Sequence, residues 1–422
     1  MIDPFAQEPA AERRPAAGAA RVAGFGQSVI REMTRLAQAY DAVNLSQGFP
    51  DFPAPLDVKE AAVAAIRDDI NQYAMTWGMP ALREAIAASY ARRGWPGIDP
   101  EREVTVACGA TETIAAAMLA LLEEGSEVLV FDPLHESYAP AAMLAGARAV
   151  PVPLRPPGWT FESEDLLARV GPRTRAIVVT NPHNPTGRVF TERELEIVAA
   201  VCRERNLLAI TDEIYEHIVY DGAHRFLARL PGMRERTVTV SALSKSYAVT
   251  GWRVGWAVAP AALTDAIRKV HDFLTITAPA PFQAAGVIAL GLGAAYHRRL
   301  AADYRERREQ TLRLLGGAGM AAAPPQGAYY ALADVTPHLE ALGATDATEF
   351  ARWLVREARV AVVPGPALFL APGAGTSLVR VAFSKRQETL DLAGARLAAA
   401  ARALDVPVFA QRQPGGTDGA RA

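Results

Sequence analysis

The sequence is poor in cysteine and has no long apolar run free of interruptions. Its 2 cysteines, Cys108 and Cys202, lie in apolar stretches, which favours buried free thiols over a disulfide. The N-terminal residues include acids and prolines but no apolar run typical of a signal peptide. The uncharged stretch 273–296 contains Pro279 and Pro281, which predicts a turn and a core helix instead of a membrane span.

An excess of one charge is also missing. The 44 Lys and Arg residues nearly balance 46 Asp and Glu residues, for a formal net charge of −2. A basic excess is the usual signal of a nucleic-acid or membrane-surface partner, so we expect neither. The composition instead favours a globular protein in the reducing environment of the cytoplasm.

The chain has 422 residues, which predicts two domains because one core seldom grows so large. The composition of residues 1–24 and 409–422 predicts disordered tails. The character of the sequence changes near residue 290, where long charged helices begin. We therefore predict a large domain at 57–289, and a small α+β domain formed by 25–56 together with 290–408.

Short apolar runs alternate with helical segments in the predicted large domain. Most runs are continuously apolar, which is typical of strands buried on both faces. This rhythm predicts an α/β fold with a mostly parallel, seven-stranded sheet covered by helices. The runs are VTVAC, EVLVFDP, ARAVPVPL, RAIVVTNP, LLAITDE, TVTVSAL and VGWAVAP.

Polar residues stand where three of these strands end: Asn184, Asp212 and Lys245. Ligands of open α/β sheets bind beyond the carboxyl ends of the strands, so these ends are where we expect a site. Alone, a lysine after a strand is most often a solvated charge. Lys245 has apolar neighbours in sequence, however, and desolvation would make its amine a nucleophile toward an aldehyde. Arg253, eight residues later, could bind a phosphate through two N–H groups.

Asp212 ends an apolar strand, where an unpaired carboxylate is costly. A protonated pyridine nitrogen would pair with it and keep the ring an electron sink. Tyr215 and Asn184, the latter in the turn NPHNPTG, could hydrogen-bond a hydroxyl on the same ring. An N-cap aspartate, a core tyrosine and an ordinary turn remain an equal alternative.

The segment ACGATETIAAAM predicts an anion site. Gly109 follows a strand, and a helix then begins with Ala110 and Thr111, so that free backbone N–H groups face one point. An ordinary strand-to-helix connection capped by Thr111 explains the segment equally well.

Together these segments resemble the pyridoxal-phosphate (PLP) enzymes of fold type I, aminotransferase class I/II. The resemblance spans about residues 24–404 and is strongest to the kynurenine/glutamine and methionine aminotransferase branch. The motifs that carry it are NLSQGFPDFPAP, NQYAMTWGMPALREAI, FDPLHESYAPA, NPHNPTG, TDEIYEHIVYDG and SKSYAVTGWRVGW. It implies a PLP-dependent aminotransferase that moves an amino group from an L-amino acid (methionine, glutamine, aromatic or kynurenine-like) to a 2-oxo acid by a ping-pong mechanism.

The resemblance also implies residue roles. Lys245 matches the lysine that forms a Schiff base with PLP, Asp212 the partner of the pyridine nitrogen, and Tyr215 a group beside the phenolic oxygen. The positions that match cofactor contacts are Gly109, Ala110, Thr111, His135, Asn184, Asp212, Tyr215, Ser244, Lys245, Arg253 and Tyr73. No metal is implied.

Among positions that match substrate contacts, Arg380 corresponds to the arginine that binds the α-carboxylate, and Gly48, Asn184 and Ile30 lie around the substrate. Tyr73 resembles the tyrosine that reaches the cofactor phosphate of the neighbouring subunit. The resemblance therefore implies a homodimer with shared sites.

The sequence departs from the family pattern at four positions. Ala242, with Ser241 beside it, stands where a serine often binds the phosphate, and His135 stands where an aromatic ring usually stacks on the pyridine. Ile30 and Ala110 replace aromatic residues of kynurenine-type relatives. A pocket with fewer aromatic residues could favour methionine, glutamine or a longer substrate.

Two alternatives keep the cofactor. PLP supplies the carbanion whatever the pocket does with it, so a β-lyase shares the same scaffold. A succinyldiaminopimelate-type aminotransferase belongs to a neighbouring branch. A regulator with a fused DNA-binding module is disfavoured, because we expect the tail before residue 25 to be too short for one.

Overall fold

A computed structural model provides the structure, which describes residues 25–408 together with Ala19 and Val22. The tails predicted at 1–24 and 409–422 otherwise lie outside the described residues. The α-helices are α1 Val29–Ala39, α2 Leu56–Arg67, α3 Pro80–Arg92, α4 Ala110–Leu121, α5 Tyr138–Leu144, α6 Ser163–Leu167, α7 Glu192–Glu204, α8 Leu243–Ser246, α9 Ala261–Leu274, α10 Ala280–Gly291, α11 Gly293–Gly316, α12 Thr336–Leu342, α13 Ala347–Trp353 and α14 Gln387–Ala403.

The strands form three sheets of seven, four and two strands. They are β1 Val43–Asn44, β2 Val104–Ala107, β3 Glu127–Asp132, β4 Arg148–Pro153, β5 Thr174–Thr180, β6 Leu208–Asp212, β7 Thr237–Ala242, β8 Gly255–Val258, β9 Ala321–Ala322, β10 Tyr330–Asp334, β11 Val360–Ala361, β12 Val363–Pro364 and β13 Leu378–Ala382.

The seven-stranded sheet has the order β2-β8-β7-β6-β5-β3-β4. Its strands run parallel except β8, which pairs antiparallel with both β2 and β7. The prediction of an α/β fold with a mostly parallel seven-stranded sheet is therefore confirmed.

The strand β3 shows why these runs are continuously apolar. Leu129 and Phe131 enter one hydrophobic core, whereas Val128 and Val130 enter the core on the opposite face, and all four are at most 3% exposed. Successive side chains of a strand point to opposite faces, so a sheet covered on both faces needs apolar residues at every position.

The remaining strands lie mainly in the C-terminal part. Strands β12, β13, β10 and β9 form an antiparallel sheet, and β1 pairs with β11. The N-terminal residue Met33 shares one hydrophobic core with Phe350 and Leu397. This common core agrees with a small unit built from both ends of the chain, although the predicted domain boundaries stay a prediction.

The parallel strands bring their carboxyl ends to one edge. Asp212 at the end of β6 lies in register with Thr180 at the end of β5 and with Val240 of β7. The helix α8, which carries Lys245, begins directly after β7. This edge therefore positions the candidate site.

The uncharged stretch 273–296 is divided between the last residues of α9, a turn, the helix α10 and the first residues of α11. This agrees with the expected turn and core helix. Over the part of the chain that the structure describes, no helix combines the length and apolar character that a membrane span requires.

The helix α14 offers a matched test of the small core. Leu397 is 2% exposed and Leu392 is 48% exposed on the same helix. Leu397→Ala should lower the free energy of unfolding by about 2–5 kcal/mol, because it leaves a cavity in a packed core. Leu392→Ala should change it by less than about 1 kcal/mol. Urea unfolding of both variants measures the difference, and equal midpoints would contradict this packing.

Candidate active site

Asp212 is a buried carboxylate at the end of β6, 5% exposed. Tyr138 donates its hydroxyl hydrogen to Asp212 Oδ2 at 2.6 Å, and the Tyr138 hydroxyl lies 2.8 Å from that of Thr180. Burial raises the pKa of Asp212 to about 6, although the bond from Tyr138 opposes this shift. Among the described residues no cation lies within ion-pair distance, so Asp212 is suited to a cationic ligand.

Lys245 lies on α8 with its amine directed at the N-terminal part of the chain. Its Nζ donates to the carbonyl oxygen of Gly48 at 3.0 Å, and the hydroxyl of Tyr329 donates to the same oxygen at 3.0 Å. Desolvation lowers the pKa of Lys245, which increases the fraction of nucleophilic neutral amine. The fold thus brings together two residues that are 197 positions apart in sequence.

One pocket joins most of the residues expected at the site. Nine of the cofactor positions named above line it: Ala110, Thr111, His135, Asn184, Asp212, Tyr215, Ser244, Lys245 and Arg253. The sequence did not single out the other lining residues, which are Ile114, Ser137, Ile214, Thr250 and Tyr330, whereas Ala242 was noted as a departure.

One end of the pocket is built for an anion. Gly109 has φ of +84°, and a side chain there would overlap the guanidinium of Arg253. A Cβ on Gly255 would lie 2.7 Å from the backbone nitrogen of Ala110. These two glycines let Arg253 and β8 pack against the beginning of α4, where the first N–H groups have no helical acceptor.

Ser241 does not contribute a hydroxyl to this end. Its Oγ donates to Glu216 Oε1 at 2.8 Å, away from the pocket, while Ala242 lines the pocket. A serine at position 242 could donate a hydrogen bond to a phosphate in the pocket. Ala242 has no hydroxyl, so that hydrogen bond is missing here. Thr111, Ser244 and Thr250 are hydroxyl-bearing residues that line the pocket together with Arg253.

Arg380 is a buried guanidinium, 1% exposed. Nη1 donates to Asn184 Oδ1 at 3.1 Å, and Nη2 donates to the carbonyl of Ser46 at 2.8 Å. Its Nε has no acceptor among the described residues, and no carboxylate of that part of the chain lies within ion-pair distance. A ligand carboxylate would satisfy both deficits.

His135 lies half-buried on the pocket wall with Nδ1 2.7 Å from the hydroxyl oxygen of Ser137. Burial, and then the charges of Arg380 and Lys245, lower the pKa of His135 to about 3. The imidazole is therefore neutral near neutral pH, and a neutral flat ring can stack on an aromatic cation without charge repulsion.

Five predicted site residues do not line this pocket. Gly109, Gly48 and Arg380 are nevertheless adjacent to lining residues, namely Arg253, Lys245 and Asn184 respectively. Tyr73 is 79% exposed, and Ile30 packs against a hydrophobic core that includes Leu368. Of the residues that the sequence analysis missed, Tyr138 follows His135 by three positions within a quoted motif, and Tyr330 belongs to a tyrosine pair. The position of Tyr138 within that motif was an available signal, whereas Tyr330 lies outside the quoted motifs.

The residues present fit PLP. Asp212 can accept a hydrogen bond from a protonated pyridine nitrogen, and the Lys245 amine can react with the aldehyde. The beginning of α4 and Arg253 can hold the phosphate. No group of three or more His, Cys, Asp or Glu side chains suited to a metal ion occurs within the described residues.

The raised pKa of Asp212 predicts a pH effect on the stability of the ligand-free protein. The folded protein keeps this proton up to about pH 6, whereas the unfolded chain releases it near its ordinary value of 3.8. The group therefore lowers the free energy of unfolding as pH rises from about 4 to 6, by about 3 kcal/mol in all. Asp212→Asn should remove this decline.

Urea unfolding of ligand-free protein between pH 4 and 7 measures the difference between variant and wild type. Asp57→Asn, at an exposed position on α2, is the control and should leave the pH profile unchanged. Parallel profiles for Asp212→Asn and wild type would contradict the raised pKa.

Comparisons with known proteins agree with this geometry. The family model described as aminotransferase class I and II matches residues 40–397. The chain is 42% identical over 389 residues to a probable N-succinyldiaminopimelate aminotransferase DapC of Mycobacterium tuberculosis, covering 89% of this chain and 97% of that protein. It is 36% identical to the methionine aminotransferase of Escherichia coli, covering 88% and 96%.

The fold agrees as well. The solved structure of N-succinyldiaminopimelate aminotransferase from Mycobacterium tuberculosis has a TM-score of 0.88 at 41% identity, over 91% of this chain and all of that one. A Thermus thermophilus aspartate aminotransferase with maleate has a TM-score of 0.84 at 33% identity, over 91% and 99%. With its cofactor pocket and these relatives, the chain belongs to the class I and II aminotransferases and is a PLP-dependent enzyme of that family.

Proposed function

We propose that the enzyme transfers the amino group of an L-amino acid, with methionine or glutamine preferred to aromatic and kynurenine-like donors, to a 2-oxo acid by a ping-pong mechanism. The observation that carries the proposal is Arg380. It is a buried cation with an unused Nε–H and no counter-ion in the described part of the chain, and Asn184 orients it beside the pocket. An α-carboxylate is common to all amino acids and supplies the missing charge.

Bound PLP supplies an electron sink for the charge that develops at the donor Cα. Asp212 would hold the pyridine nitrogen, while Tyr215 and Asn184 would flank the phenolic oxygen. The Tyr215 hydroxyl lies 3.1 Å from that of Tyr330, and Asn184 is 3% exposed, so both are fixed by packing. Arg253 and the beginning of α4 would hold the phosphate.

The Lys245 amine would carry the proton. Its lowered pKa gives it a neutral form that can remove the proton from the donor Cα, and the Gly48 carbonyl orients it when it is free. Arg380 meanwhile fixes the carboxylate, so that Cα lies within reach of Nζ. Holding both groups in place lowers the activation free energy, by about 7–11 kcal/mol in well-oriented intramolecular reactions.

The preference for methionine and glutamine over aromatic donors rests on the residues that line the pocket. Ala110 lines the pocket with a methyl group where kynurenine-type relatives carry an aromatic ring, and Ile30 packs into a core instead of lining it. The rings that do line the pocket belong to His135, Tyr215 and Tyr330, and the hydroxyls of the two tyrosines are hydrogen-bonded to each other. A site with few aromatic walls gains little from an aromatic donor and leaves room for a flexible chain.

A second candidate donor is N-succinyldiaminopimelate. The 42% identity to a probable aminotransferase for that compound favours it. A β-lyase activity on the same scaffold is the other alternative: ammonia and pyruvate from a β-substituted amino acid would indicate elimination, whereas a new amino acid from an added 2-oxo acid indicates transfer.

We further propose a homodimer in which Tyr73 contacts the cofactor phosphate of the neighbouring subunit. Its ring is 79% exposed on the protomer and does not line the protomer's own pocket. Phe273 is 92% exposed, and a neighbouring subunit packed over it would also remove this apolar ring from water.

We also propose a large domain at 57–289 and a small domain formed by 25–56 with 290–408. The free thiols of Cys108 and Cys202 support a reducing, cytoplasmic location.

Lys245→Ala should abolish amino transfer and the absorbance band of lysine-linked PLP, because no other amine lines the pocket among its described residues. Absorbance spectra and 2-oxo acid formation measure both effects. Lys269→Ala, at an exposed position on α9, is the control and should behave as wild type. Retention of the band and of turnover by Lys245→Ala would refute the assignment.

A panel of amino donors tests the substrate class. In single half-reactions, followed by loss of the PLP absorbance, methionine and glutamine should react faster than phenylalanine and kynurenine, and N-succinyldiaminopimelate serves as the competing donor. Faster reaction of kynurenine would contradict the preference for methionine and glutamine.

Arg380→Ala should lower kcat/KM for every donor by about 100-fold, since the α-carboxylate is common to all donors.

A further inference from the structure

A short backbone segment beside the pocket is held by three cations, the buried Arg380 and Lys385 and the half-buried Lys245. This segment, Ser46–Phe49, is called the carbonyl segment below. Its first carbonyl oxygen accepts a hydrogen bond from Arg380 at 2.8 Å, and its third accepts one from Lys245 at 3.0 Å. Its second and fourth both accept from Lys385 Nζ, at 3.4 and 2.9 Å. Lys385 therefore hydrogen-bonds the carbonyl segment on both sides of the Gly48 oxygen, which accepts the hydrogen bond from Lys245.

Lys385 is an unusual side chain for this position. It is 2% exposed, its Nζ lies 4.0 Å from the centre of the Phe49 ring, and no carboxylate of the described residues lies within ion-pair distance. Asp51 is a nearby acid, but it accepts from the backbone of Arg386 and the hydroxyl of Thr389. Burial lowers the pKa of Lys385 to about 8. A buried cation without a counter-ion destabilises a fold, so an apolar residue would serve a purely structural position better.

The carbonyl segment needs outside support. A side chain at Gly48 would overlap the hydroxyl of Tyr330, so only glycine fits there. Glycine also leaves the backbone its greatest freedom, and the segment continues as irregular structure after β1. Its rigidity must come from hydrogen bonds. The hydroxyl of Tyr329, which donates to the Gly48 carbonyl, and the two bonds of Lys385 provide it.

We propose that Lys385 is a positioning residue for Lys245. By holding the carbonyls on either side of Gly48, it keeps the Gly48 carbonyl oxygen where the Lys245 amine rests while that amine is free to carry a proton. The inference rests on the proton-transfer role proposed above for Lys245. Lys385 itself lies outside the pocket lining, so we assign it a role through Lys245 and not on the reacting atoms.

The test is a half-reaction with methionine, followed by stopped-flow absorbance of the PLP holoenzyme. Lys385→Met should lower the maximal rate constant by about 100-fold, because a displaced docking oxygen misplaces the proton carrier. The apparent affinity for methionine, which depends on Arg380, should change much less. Lys385→Arg keeps the charge and the donors, and it should restore most of the rate. Lys269→Met, at an exposed site, should match wild type.

Tyr329→Phe provides a second variant that removes a single hydroxyl. It should lower the same rate constant by about tenfold, the value of one hydrogen bond to a charged site, and it decides the matter if Lys385→Met fails to fold. Wild-type rate constants in both variants, or a loss confined to methionine affinity or to thermal stability, would overturn the inference. A wild-type enzyme inert toward every donor would instead refute the proposed function.

Discussion

Buried charges that lack an oppositely charged side chain among the described residues are the constraint on which this site depends. Asp212, Arg380 and Lys385 are each at most 5% exposed, and none has an oppositely charged side chain within ion-pair distance among the described residues. Such groups cost stability, and the fold bears that cost because the seven-stranded sheet is covered on both faces. Ligands that bring the missing charges, a pyridinium and a carboxylate, would bind the folded state and stabilise it by mass action.

The neutral partners of these charges determine their direction. Tyr138 holds Asp212, Asn184 holds Arg380, and the Gly48 carbonyl holds Lys245. Each partner orients its charge without neutralising it, so the charge stays available to a ligand. This is the form of preorganisation that favours catalysis, since the dipoles are in place before the reacting charges appear.

The sequence predicted the sheet and the residues at its strand ends, because continuous apolar runs and the polar residues that follow them are local signals. It did not predict Tyr138 or Lys385. Tyr138 is separated from Asp212 by 74 positions, and Lys385 from Phe49 by 336, so no local pattern reveals these contacts. Ile30 is different: the resemblance implies a substrate contact, which stays a prediction, and in the ligand-free fold its side chain packs against a core.

A buried charge also explains why position 242 is an alanine. Behind the sheet, Glu216 pairs with Arg93 at 2.6 Å; its burial would raise its pKa, but nearby cations, chiefly Arg93, lower it to about 2. The Ser241 hydroxyl donates to this buried carboxylate. Neighbouring residues of a strand face opposite sides, so a serine that serves Glu216 leaves the next position, Ala242, facing the pocket. The hydroxyl at position 241 thus supports the ion pair behind the sheet, and a phosphate bound at this end of the pocket would depend more heavily on Arg253 and the beginning of α4.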